Sequence, residues 1–205
     1  MRARLALAAS QTQVQWREII LRDKPESMLA VSPKGTVPVL ITESGVVIDE
    51  SLDIMLWALE RNSHPWLRPS QGSLAEMLEL IANAESEFKP HLDRYKYANR
   101  HEASEALAHR QWAGDFLVPL NARLQTSAWL FGERFSLGDA AIAPFVRQFA
   151  NTDRAWFDTQ SWPALQRWLE VFLALPLFES IMHKRVPWKE GDEEVFFPAG
   201  AVALP

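Results

Sequence analysis

The spacing of apolar residues changes along this chain, and the changes divide it. Residues 2–10 are helix formers with Leu5 and Ala8/Ala9 on one side, which predicts an amphipathic first helix. Val14–Leu21 alternates imperfectly but is strand-like in residue type, and Arg22-Asp-Lys-Pro25 breaks it. Glu26–Val31 reads as a short helical turn before Ser32-Pro33-Lys34-Gly35. Val37–Thr42 and Val46–Asp49 are apolar and β-branched, so they read as a hairpin closed by Glu43-Ser44-Gly45. Asp49, Glu50 and Ser51 then place acidic and capping side chains ahead of a helix reaching about Asn62. Its Leu52, Met55, Leu56 and Leu59 fall at i, i+3, i+4 and i+7.

Ser63–Ser70 holds two prolines and reads as a linker, after which the period is helical almost to the end. Leu74–Arg100 is expected as one long helix kinked at Pro90, and Glu102 to about Thr126 as another, interrupted at Pro119. Ser136-Leu-Gly-Asp139 is a capping box, opening a helix whose inner face is Ile142, Phe145, Val146 and Phe149. Trp162–Ala174 and Pro176–His183 are shorter helices, and Asp192–Pro205 is a tail punctuated by proline and glycine. The pattern therefore predicts an α/β domain over 1–63, a linker over 64–70 and an all-α domain with its tail over 71–205.

Composition mostly removes possibilities. At 205 residues, 48% hydrophobic and 23% charged, the chain is long enough for a substantial core. A net charge of −5 argues against nucleic acid or an anionic membrane as partner. No apolar run is long enough to span a bilayer. The absence of cysteine excludes disulfides, thiolate metal sites and a cysteine nucleophile within these residues. The histidines and acids show no metal-ligand spacing, so no metal is expected. The first ten residues resemble a signal peptide, but the apolar core Leu5–Ala9 falls short of the usual ~7–15 residues. They are therefore read as a helix, and the protein as cytoplasmic.

Two features of the hairpin carry chemistry. Pro38 opens a strand where a ladder donor is missing, so it belongs at an edge, in a turn or in a cis peptide. Glu50-Ser51 offers a carboxylate, a hydroxyl and free backbone N–H groups at a helix start, suited to an amino-acid headgroup. Thr36-Val-Pro-Val-Leu40, Asp49-Glu-Ser51 and Phe135-Ser-Leu-Gly-Asp-Ala-Ala-Ile-Ala-Pro-Phe145, in that order, resemble the glutathione S-transferase superfamily. The closest likeness is to omega-type and related bacterial cysteine enzymes. The resemblance implies a thioredoxin-like N-terminal domain, a helical C-terminal domain and a cytoplasmic homodimer using glutathione as co-substrate. It also implies that Lys24, in Asp23-Lys-Pro25, meets the glycine carboxylate of glutathione. Val37 and Pro38 would present backbone to the cysteinyl moiety, and Glu50 and Ser51 would take the γ-glutamyl end.

At the N-terminus the chain departs from the family. There the nucleophile follows a first strand and precedes sequence like Met-Arg-Ala-Arg-Leu-Ala-Leu, which is where this chain starts. That strand and the nucleophile are expected before residue 1. Ser10, Tyr95 and Tyr97 are wrongly placed to substitute, so no catalytic residue is assigned. Either the chain serves glutathione-dependent transfer or thiol oxidoreduction on an unknown electrophile or disulfide, inactive in this form, or it is a non-catalytic module for protein partners. The family's acceptor pocket would draw on Tyr95, Trp112, Phe116 and Trp188. Without its first strand the sheet would contain a slot. Val14–Leu21 collapsing onto Val37–Ile41, or the tail Val195–Leu204, would close it; otherwise Val14–Leu21 would be loosely held.

Overall fold

In the computed structural model, which describes residues 1–97 and 105–200, the chain forms two units. One is Met1–His64 with the described residues from Pro176 onward; the other is Pro65–Leu175. The end of the chain, which helical spacing assigns to the second domain, thus groups with the first.

The first unit runs α1 (Arg2–Ala9), β1 (Val14–Gln15), α2 (Glu26–Val31), β2 (Leu40–Ile41), β3 (Val47–Ile48) and α3 (Ser51–Glu60). The expected hairpin is present, with Leu40 opposite Ile48 and Ile41 opposite Val47. Gly45 has φ 81°, a region open to glycine because it lacks a Cβ. Thr42 Oγ1 accepts from the Val46 N–H at 3.0 Å. The strands are shorter than the apolar runs predict, since Pro38 brings no N–H to a ladder. Ala3, Leu40 and Ile54 form a small core, joined by Val14, Ile48 and Trp57. Helix α1 is buried on nearly every side rather than along one stripe. It lies against both α3 and α10 (Pro176–Ile181).

The tail is the segment that pairs with β1. Strand β4 (Phe196–Phe197) runs antiparallel to β1, with Val14 opposite Phe197 and Gln15 opposite Phe196. The Trp16 N–H donates to the Val195 carbonyl at 2.6 Å, and the Trp188 N–H to the Glu18 carbonyl at 2.7 Å. Phe197 is buried, edge-on to Trp16 at 4.8 Å between centroids. The Arg4 guanidinium lies over Trp16 at 4.2 Å and pairs with Glu18 at 2.8 Å. Among the described residues β1–β4 and β2–β3 are separate two-stranded sheets.

The second unit is helical: α4 (Leu74–Asn83), α5 (Lys89–Lys96), α6 (Ala106–Leu124), α7 (Leu137–Ala150), α8 (Arg154–Asp158) and α9 (Pro163–Leu173). The expected long helix runs over its described residues as α4 and α5, joined without a break by a π-helical turn at Ala84–Phe88. Pro90 lies just after that turn, where a wider turn absorbs its missing N–H. The expected start at Glu102 falls outside the described residues. Helix α6 is not interrupted at Pro119: it continues to Leu124, with Ala113, Gly114, Leu117, Leu120, Asn121 and Leu124 buried. Packing of that face outweighs one lost backbone bond. Helix α8, absent from the sequence reading, is capped by Asp153, whose carboxylate accepts from the Trp156 N–H at 3.0 Å.

Helix α7 opens with the expected capping box. Asp139 is fully buried; Oδ2 accepts from the Ser136 N–H at 3.0 Å and its hydroxyl at 2.7 Å. Oδ1 accepts from the Leu130 N–H at 2.8 Å and the Trp168 indole at 2.9 Å. Burial pushes the carboxyl pKa up, and these four donors oppose the shift.

Candidate functional site

The candidate residues lie in the first unit, on turns and one helix start. Asp23 closes a tight turn, its N–H donating to the Ile20 carbonyl at 2.9 Å, and Lys24 follows it. The Lys24 stem runs beside Gly35: a Cβ there would lie 3.6 Å from Lys24 Cδ and 3.3 Å from Leu29 Cδ2. Gly35 also has φ 61°, so both conformation and contact favour glycine. Among the described residues Lys24 has no ion-pair partner, which leaves its ammonium available to an anion.

Beyond Gly35 the Val37–Pro38 peptide is cis. Val37 is 45% exposed, and its backbone borders the turn between the lysines and the hairpin. Helix α3 starts at Ser51, and Glu50 is the N-cap with no side-chain capping bond. Ser51 is therefore the first helical residue, not the cap that its chemistry predicts. Its hydroxyl has no hydrogen-bond partner among the described residues.

The structure adds Lys34, which sequence reasoning missed. Its Nζ lies 3.1 Å from Glu50 Oε1 and 3.3 Å from Asp49 Oδ2. These bonds, first to Glu50 and then to Asp49, hold the Lys34 pKa above its ordinary value. The signal was a lysine in Ser-Pro-Lys-Gly ahead of the cis-proline, but its partners are 15 and 16 residues away. Thus Lys24 touches Gly35, its neighbour Lys34 bonds Glu50, and Ser51 follows. The arrangement has a free cation at one end and a carboxylate, a hydroxyl and a helix start at the other. That pattern suits a ligand with a carboxylate at one end and an amino-acid headgroup at the other.

The aromatic residues named for an acceptor pocket each have a ring or cation neighbour within their own unit. In the second unit Phe116 stacks on Phe88 at 5.4 Å, and Tyr95 is buried against Phe149 at 5.6 Å. Trp112 flanks His91 and His109. In the first unit Trp188 lies under the Arg17 guanidinium at 4.4 Å. Hollows of about 520 and 810 Å³ border the hairpin and the tail, and neither is lined by Lys24, Val37, Pro38, Glu50 or Ser51.

Residues 1–66 match the family described as "Glutathione S-transferase, N-terminal domain", and residues 79–170 match "Glutathione S-transferase, C-terminal domain". The chain belongs to the glutathione S-transferase superfamily. Its first unit is the thioredoxin-like domain of that fold and its second the helical domain. Among curated relatives, Glutathione S-transferase GstB of Escherichia coli K12 is 28% identical over 163 residues, 75% of this chain and 76% of that protein. Maleylacetoacetate isomerase of Pseudomonas aeruginosa is 25% identical over 190 residues, 86% and 87% of the two chains. A glutathione transferase family member from Pseudomonas fluorescens Pf-5, solved with two glutathione bound, superposes with TM-score 0.76 at 16% identity. That match covers 88% of this chain and 86% of the other.

Proposed function

We propose that this chain binds glutathione and belongs to a protein that uses it as co-substrate for transfer or thiol oxidoreduction on a small electrophile or disulfide. The observation carrying this reading is that, among the described residues, the Lys24 ammonium has no ion-pair partner and the Ser51 hydroxyl beside Glu50 no hydrogen-bond partner, with the cis Val37–Pro38 peptide between them in the chain. On this reading Lys24 takes the glycine carboxylate. Val37 and Pro38 hold the cysteinyl backbone, and Glu50 and Ser51 take the γ-glutamyl headgroup. Family members solved with glutathione support the assignment of ligand. The proposal carries with it a cytoplasmic homodimer, which sizing by light scattering tests.

These 205 residues contain no cysteine, and no hydroxyl lies at the start of α1. The polypeptide therefore recognises glutathione without offering a nucleophile to it. The alternative reading is a non-catalytic glutathione transferase-fold module for protein partners. Calorimetric titration with glutathione is the test. Binding that weakens several-fold in both Ser51→Ala and Lys24→Ala supports the site; binding unchanged in both overturns it. An assay with a generic electrophile separates the readings, because turnover by the purified chain would refute the nucleophile-free assignment.

A further inference from the structure

The ion pairs of Lys34 constrain what can bind at Glu50, and this argument rests on the glutathione reading above. Lys34 Nζ is 3.1 Å from Glu50 Oε1, so an ammonium taken by that carboxylate arrives beside a second positive charge. Two neighbouring ammonium groups repel each other. An α-amino acid headgroup avoids the conflict, because its ammonium and carboxylate branch from one carbon. With the ammonium on Glu50, the carboxylate falls between Lys34, the Ser51 hydroxyl and the free N–H groups opening α3. Asp49, 3.3 Å from Lys34 Nζ, is a second anchor for that lysine. Charges then alternate from Asp49 to Lys34 to the ligand carboxylate. A plain amine at the same position leaves Lys34 opposed.

We infer that Lys34 is a specificity residue that restricts this end of the site to zwitterionic amino-acid headgroups. It does so from an exposed turn, with 55% of its side chain accessible, so replacing it leaves the core untouched. Its contribution is correspondingly modest, since exposed pairs are worth only a few-fold in affinity.

The test compares glutathione with its decarboxylated analogue, γ-aminobutyryl-cysteinyl-glycine, by calorimetry on the full chain. The parent should prefer glutathione. In Lys34→Met that preference should shrink by roughly 3–5-fold, the scale of an exposed ion pair. Lys34→Arg should retain it. A preference identical in the parent and Lys34→Met, in a parent whose glutathione binding falls in Ser51→Ala, overturns the role of Lys34 alone. No glutathione binding by the parent overturns the glutathione reading and this inference together. Lys34→Gln, closer in shape and polarity, serves as a second variant, and it too should lose the preference.

Discussion

Replacing Asp139 by alanine removes the acceptor for four donors at once. Three of them, the Leu130 and Ser136 N–H groups and the Trp168 indole N–H, are fixed by backbone or ring and cannot turn to another partner. The Ser136 hydroxyl can rotate. A buried donor left unmet costs roughly 1–3 kcal/mol. Losing a cap alone costs about 0.5–2 kcal/mol. Relaxation and water entry recover part of the sum, so we expect a loss of about 3–5 kcal/mol. At ~2–4 °C per kcal/mol for a chain of this size, the melting temperature should fall by roughly 6–20 °C. Asp139→Asn keeps the shape but turns one oxygen into a donor facing donors, so it should recover little. Trp168→Phe alone removes a single bond and should cost about 0.5–1.5 kcal/mol. In the Asp139→Ala background the same change deletes an orphaned donor and should be near neutral. Calorimetric melts of these variants form a double-mutant cycle. A shift of less than about 2 °C for Asp139→Ala, or additive effects of the two changes, would refute the network.

Three further outcomes follow from other contacts. His91 Nδ1 and His109 Nδ1 lie 2.7 Å apart, so one proton suffices between them. Burial first, then His109 and Arg94, lower the His91 pKa from 6.5; Glu105 Oε2 lies 3.8 Å from His109 Nε2. A pKa depressed by folding means stability that is complete above 6.5 and lost as pH falls below it. Melting temperature should therefore drop as pH falls below 6.5, and His91→Phe should flatten that slope; an unchanged slope would rule the pair out as its source. Phe197→Ala should cost about 3 kcal/mol at a buried ring and abolish hydrogen-exchange protection at the Trp16 amide; retained protection would show that β1 does not depend on the tail. Ser51→Ala should weaken glutathione binding without moving the melting temperature, since its hydroxyl bonds nothing among the described residues; a lower melting temperature would reveal a structural role instead.

What could be read from the sequence was what is settled locally. The hairpin and its turn follow from two apolar runs and a glycine. The Ser136–Asp139 box follows from a spacing of three. The same carboxylate's bond to Trp168 spans 29 residues, and nothing in local spacing announces it. Pro119 shows the converse error. The rule that proline breaks helices is local, and a long buried face overrides it in α6. Helix α8 was missed because five residues offer too little period to detect.

The same division explains the candidate site. As candidates, Pro38, Glu50 and Ser51 stood out from strand and helix-start chemistry, whereas Lys24 and Val37 entered only through the family resemblance. Their grouping depends on Gly35, which lets the Lys24 stem pass, and on Lys34, which ties the turn to Glu50. Neither is visible until the 32–38 turn is folded against α3. Lys34 also shows why a list of site residues is an incomplete account of recognition. Glu50 alone suits any ammonium, whereas Glu50 with a lysine at 3.1 Å suits one that carries its own carboxylate. Specificity there comes from the repulsive partner as much as from the attractive one, and the repulsive partner is the one that pattern matching leaves out.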